Sequence, residues 1–127
     1  MQNLIIEETQ YTPKIEFDIN SNTLNITGKS YPENTFEYYK PIILWLEEYF
    51  ENLNDEKVTV NLDLEYLNSS SLKAYFDMFD IFEEAHEDGK TIHIKWIYDE
   101  DNDIAEETGE DFMEDFKDLD IELVAKG

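Results

Sequence analysis

Three hydroxyls in a row follow an asparagine at Asn68-Ser69-Ser70-Ser71. Serines in that setting serve one of three kinds of chemistry. A nucleophilic serine needs a base and a strained G-x-S-x-G turn. The sequence has no such turn, and its two histidines are poorly placed: His93 falls inside a strand pattern and His86 at the far end of the helical pattern that follows the serines. A second role is helix capping, because Asn and Ser side chains accept the free N–H groups of a first turn and stabilise it by about 1 kcal/mol. A third role is phosphate acceptor. A phosphate adds roughly −1.5 to −2 charge at neutral pH, and the dipole and free N–H groups of a helix N-terminus tolerate it. The fold would survive while the local surface changed. Asp63 and Glu65 nearby would add to the repulsion of an acidic partner, and Lys73, one turn on, would offset part of it. The residues alone favour capping and leave phosphorylation open.

A second constellation is Asp99, Asp101, Asp103 and Glu110, which fall at positions one, three, five and twelve of a calcium-loop spacing. The glycine such a loop needs at position six is Ile104, and a strand rather than a helix precedes it. The simpler account is that these acids favour the N-terminus of a following helix through its dipole. His93 alternates opposite Ile92 and Ile94, so it belongs to the other sheet face. As an isolated histidine it reads as structural. Trp45, Trp96 and Tyr98 read as packing residues, with some available as partner anchors.

These residues sit on elements that the hydrophobic pattern predicts. Lys14–Gly28 reads as a hairpin: Ile15, Phe17 and Ile19 alternate with polar residues, as do Leu24 and Ile26, around an Asn-Ser-Asn turn. A short strand at Leu4-Ile5-Ile6 can precede it. Residues 34–53 carry Phe36, Tyr39, Ile43, Leu46, Phe50 and Leu53 at helical spacing, capped by Asn34 or Thr35. Pro41 either kinks that helix or moves its start towards Tyr39. Val58–Leu64 alternates as a strand. Ser70–Glu87 is amphipathic and ends before Gly89. Ile92–Tyr98 is another strand, 103–117 an acidic helix and Ile121–Val124 a last strand. The order β-β-α-β-α-β-α-β implies parallel neighbours joined by helical crossovers. Because the inner strands alternate, the expected fold is an α/β domain spanning 1–127, with a mixed sheet and helices mainly on one face.

Composition narrows the partners. The chain has 127 residues, enough to bury roughly two-thirds of its unfolded surface in one domain. Thirty-two acids against nine lysines, with no arginine, give a net charge of −23. Such a surface repels nucleic-acid backbones and anionic lipid, and the missing arginine removes the usual bidentate phosphate reader. The charge fits solubility or attraction to a basic protein surface. Without cysteine there is no thiolate zinc site and no sign of an oxidising compartment. The N-terminus has no basic region followed by an apolar run, and no segment reaches the ~20 apolar residues of a membrane span. The expectation is a cytoplasmic protein without membrane insertion, not bound to nucleic acid and needing no cofactor. At 14% aromatic residues, the chain reads as packed rather than disordered.

Five segments in order carry a resemblance: Thr12-Pro13, Gly28-Lys-Ser-Tyr31-Pro32-Glu33-Asn34, Tyr66-Leu-Asn68-Ser-Ser-Ser71, Trp96-Ile-Tyr98-Asp-Glu-Asp101 and Glu107-Thr-Gly109-Glu110-Asp111. Together they resemble the SiaC-type regulatory phosphoproteins, small bacterial proteins with a fold like that of STAS domains and anti-sigma-factor antagonists. The resemblance implies a non-enzymatic partner switch. On that resemblance, a histidine-kinase-like Ser/Thr kinase would phosphorylate the protein, a PP2C-type phosphatase would reverse this, and the unphosphorylated form would bind and activate a diguanylate cyclase in cyclic-di-GMP and biofilm signalling. It also implies that the phosphoacceptor is the hydroxyl directly after the Asn of the motif, here Ser69, surrounded by Asn68, Ser70, Ser71 and Lys73. The motif departs from the family's Asn-Thr-Ser-Ser by carrying Ser for Thr, which keeps the hydroxyl and loses a methyl. Tyr66-Leu67 stands where an aromatic pair is more usual. The alternatives are a constitutive acidic binding module and a divalent-metal-binding protein using residues 99–110.

Overall fold

The computed structural model describes residues 1–127. Six strands and three helices follow in the order β1 (Leu4–Ile6), β2 (Lys14–Asp18), β3 (Thr23–Ser30), α1 (Thr35–Asn52), β4 (Lys57–Leu67), α2 (Ser69–Glu87), β5 (Thr91–Asp99), α3 (Asp103–Asp115) and β6 (Asp120–Lys126). The strands form one sheet in sequence order. The pairs β1–β2 and β2–β3 are antiparallel; β3–β4, β4–β5 and β5–β6 are parallel. The mixed sheet and the extra first strand match the sequence expectation.

Strand alternation decides the layering. Ile15, Phe17, Leu24, Ile26, Val58, Val60, Leu62, Leu64, Ile92, Ile94, Trp96 and Ile121 are all buried, and they form one face of the sheet. Their neighbours on the other face, such as Glu16, Asn25, Asn61 and His93, remain partly or wholly exposed. Two packed faces would have needed continuous apolar strands. The helices close the apolar face. Tyr39, Ile42, Leu46, Tyr49 and Phe50 of α1 join Tyr75, Met78, Phe79 and Phe82 of α2 in a single core. Phe79 stacks on Phe112 of α3 at 4.3 Å between ring centroids.

The predicted boundaries shift in several places. The β2–β3 hairpin turns one residue early, with Ile19 outside β2, and Asn22 takes φ +53°, a left-handed value that Asn tolerates. α1 starts at Thr35, not near Tyr39. The Asn34 side chain accepts the Glu37 N–H at 3.1 Å, and this cap fixes the start with Pro41 inside the helix. Phe36, expected on the buried face, is 74% exposed. The buried row runs through Tyr39, Ile42, Leu46 and Tyr49, and Phe36 lies round the helix from it, beside Lys40 and Leu44. No helix is long and apolar enough to cross a membrane.

Candidate functional site: the first turn of α2

A bulge prepares the site. In the β3–β4 ladder, Gly28 pairs with Leu64 but Lys29 pairs with Tyr66, so Glu65 is an extra residue on β4. Gly28 supports this with φ +124°, a value that side chains rarely adopt. Beyond the bulge, the Asn68 N–H donates to the Ser30 carbonyl at 3.1 Å, which joins the start of α2 to the end of β3.

The three serines then separate into three environments. Asn68 is the cap: its Oδ1 accepts the Ser71 N–H at 2.9 Å and the Ser70 hydroxyl at 3.3 Å. Ser70 Oγ also lies 2.7 Å from Thr35 Oγ1, so this hydroxyl is held between the two helix starts. Ser71 is wholly buried. Its Oγ lies 2.8 Å from Ser30 Oγ, which lies 2.6 Å from the Tyr39 hydroxyl, which donates to the Tyr75 hydroxyl at 3.1 Å. No buried side-chain polar atom is left without a partner. Burial pushes the Tyr39 phenol up to about 12 and the Tyr75 phenol well above its ordinary value, so both stay neutral hydrogen-bonding groups. Ser69, the first residue of α2, is exposed, and its hydroxyl makes no hydrogen bond within the protein. Of the three serines, Ser69 alone offers an unengaged oxygen to solvent.

The neighbouring charges are more paired than the sequence suggested. Lys73, exposed and one turn along α2, lies 3.6 Å from Asp77 rather than at the serines. Asp63 takes both carboxylate contacts of Lys126, at 2.8 and 2.7 Å, and Glu65 lies 3.9 Å from Lys29. Ser30, Thr35, Tyr39 and Tyr75, none of which the sequence assigned to the serine site, fix it from β3, α1 and α2. One signal was available: Ser30 continues the even-numbered apolar row of Leu24 and Ile26, so a hydroxyl stands where a core side chain is expected.

The calcium spacing does not bring its four acids together. Asp99, Asp101 and Asp103 line an open groove of about 660 Å³ at the carboxyl ends of the strands, but Glu110 is not part of it. No three acidic or histidine side chains converge as a cation would require. Asn102 instead caps α3, its Oδ1 accepting the Ala105 N–H at 3.1 Å, and Asp103 begins the helix. His93 lies on the open face, as its alternation predicted. Its Nδ1 is 2.7 Å from Asp120 and its Nε2 is 3.0 Å from Glu122. The hydrogen bond to Asp120 raises its pKa above the ordinary value; partial desolvation opposes this, and Glu122 adds to the rise. Trp96 is buried with its indole N–H donating to the Ala105 carbonyl, and Trp45 donates to the Gln2 carbonyl. Both therefore act in packing.

Comparison with known proteins bears on this arrangement. An uncharacterized protein of Pseudomonas aeruginosa strain UCBPP-PA14 is 39% identical over 115 residues, covering 91% of this chain and 90% of that protein. The crystal structure of apo-SiaC from Pseudomonas aeruginosa is 34% identical, with a TM-score of 0.88 over 98% of this chain and 100% of that one. A second solved structure is that of the diguanylate cyclase SiaD in complex with its activator SiaC, from the same species. Its match is 36% identical, with a TM-score of 0.90 over 97% of this chain and 99% of that one. The model of the SiaC family regulatory phosphoproteins matches residues 6–126. The chain therefore belongs to the SiaC family, whose members are regulatory phosphoproteins rather than enzymes.

Proposed function

We propose that this chain is a phosphorylation-controlled partner switch. In its unphosphorylated form it binds and activates a diguanylate cyclase, and phosphorylation of Ser69 ends that binding. The observation that carries this is the inequality of the three serines. Ser71 is buried in a hydroxyl chain, Ser70 is held by Asn68 and Thr35, and Ser69 is exposed and unengaged at the first position of α2. A phosphate there stays in solvent, next to free N–H groups and the positive end of the helix dipole. The cyclase part is supported by the relative that activates SiaD. A histidine-kinase-like kinase would add the phosphate and a PP2C-type phosphatase would remove it, in the cytoplasm.

The test is phosphopeptide mapping of the protein from its own cells under several growth conditions, with binding of purified variants to the cyclase. Phosphate on Ser69 at a condition-dependent occupancy, lost in Ser69→Ala without loss of fold, is the expected result. Ser69→Glu should bind the cyclase at least about tenfold more weakly than the wild type, more than a surface contact of ~1 kcal/mol accounts for. Phosphate found on Ser70 or Ser71 in Ser69→Ala, or equal affinity of Ser69→Glu and wild type, refutes the reading.

A further inference from the structure

The N-terminal halves of α1 and α2 leave a groove of about 340 Å³ between them. Ile43 and Ala74 lie along its floor, and Phe36 and Leu44 stand on its α1 rim, 74% and 55% exposed. Large apolar side chains left in the open at a concave surface mark a contact site. Phe36 and Leu44 are eight residues apart, about 12 Å along a helix axis, so the groove is roughly two turns long. Its charge departs from that of the whole molecule. The chain carries −23, yet Lys40 and Lys73 line the groove from opposite walls, against one acid, Asp77. Ser70 belongs to the same lining, next in sequence to Ser69.

We propose that this groove seats two turns of an amphipathic helix from a protein partner. Apolar residues at i, i+4 and i+7 of that helix meet Phe36, Ile43 and Leu44, and carboxylates on its flank meet Lys40 and Lys73. The proposal rests on the partner-switch reading and adds to it where the partner docks and with what chemistry. It also supplies a local reason for the switch. Ser69 and Lys73 stand at i, i+4 on α2, so a phosphate on Ser69 competes for the lysine and repels the carboxylates of the docked helix.

The test uses the full chain and two designed helical peptides of about 18 residues. Both carry leucine at i, i+4 and i+7; one has glutamate flanks, the other lysine flanks. Binding is read by fluorescence anisotropy at 0.15 M salt and located by amide chemical shifts. The Glu-flanked peptide should bind about tenfold more tightly, against the sign of attraction expected from the net charge, because screening at this salt leaves the nearest lysines dominant. Shifts should fall within residues 35–44 and 70–77. Lys40→Glu with Lys73→Glu should reverse the preference, and Phe36→Ala with Leu44→Ala, both at exposed positions, should weaken either peptide about tenfold. Equal binding of the two peptides, tighter binding of the Lys-flanked one, or shifts elsewhere overturns the proposal. If the groove variants lose binding while Ser69→Glu binds the Glu-flanked peptide like wild type, the coupling to Ser69 is refuted. A cyclase that binds neither form of the protein refutes the partner-switch reading instead, and the peptide result still decides the groove.

Discussion

Replacing Ser30 by Ala should cost more than replacing Ser71 by Ala, although each removes one buried oxygen. Ser71 ends the buried chain of hydroxyls: its side chain touches Ser30 Oγ and no other side-chain polar group, and Ser30 keeps Tyr39 as a partner when Ser71 is shortened. Ser71→Ala therefore removes one hydrogen bond and should cost about 1 kcal/mol. Ser30 stands in the middle. Ser30→Ala removes two hydrogen bonds and leaves the wholly buried Ser71 hydroxyl without its side-chain partner, which brings the cost to about 2–3 kcal/mol. In the Ser30→Ala background, Ser71→Ala then removes a stranded polar group and should be neutral or stabilising. The double variant should be less destabilised than the sum of the single ones by about 1 kcal/mol or more. Urea unfolding of the four proteins measures this, read at unchanged slope so that the difference reflects stability. Additivity within ~0.5 kcal/mol, or a Ser30→Ala cost no greater than that of Ser71→Ala, would show that the chain is not an energetic unit.

Three further outcomes follow from the geometry. A Cβ on Gly109 would lie 2.5 Å from Trp96 Cδ1 and 2.6 Å from Leu123 Cδ2, so Gly109→Ala forces the packing between α3 and the sheet to shift. The overpacking, about 1–3 kcal/mol, outweighs the ~1 kcal/mol that Ala gains in a helix, and thermal melts should show net destabilisation with altered Trp96 fluorescence. Asn68→Ala loses the acceptor for both the Ser71 N–H and the Ser70 hydroxyl and should lower stability by about 1–2 kcal/mol, whereas Asn68→Asp should retain most of it. For His93, whose folded pKa is raised above 6.5, the contribution to stability is fully present below the unfolded pKa and lost as pH rises through the folded value. The melting-temperature difference between wild type and His93→Gln should therefore be larger at pH 6 than at pH 8.5; no change, or the opposite trend, would mean that the imidazolium is not held by Asp120 and Glu122.

The layering was legible because strand alternation is a local signal. Val58, Val60, Leu62 and Leu64 declare one buried face without reference to any partner, and Asn34 and Asn68 each stand where a helix needs an acceptor. What stayed hidden depends on pairing. Phe36 satisfies the helical spacing as well as Tyr39 does, and only the seating of α1 against the sheet decides that one is exposed and the other buried. The calcium spacing does not gather its four acids, for a related reason. It counts positions along the chain, while the break between β5 and α3 turns Asn102 into a cap and carries Glu110 away along the helix. The serine run was visible, but its internal order was not, because that order comes from Thr35 and Ser30, which are 35 and 41 residues away from the hydroxyls they hold.

That order limits what a modification can do. A dianion placed on Ser71 would have to enter a core filled by Tyr39 and Tyr75, and burying an unpaired charge costs far more than the total stability of a domain this size. A phosphate on Ser70 would have to break two hydroxyl contacts, one of which joins the starts of α1 and α2. At Ser69 nothing is displaced: the added charge stays in water at the end of a helix that favours it. The first turn of α2 thus combines a rigid side and a free side within three residues. Ser71 and Asn68 hold the helix start in place, so a change at Ser69 alters the surface between α1 and α2 without loosening the elements that form it.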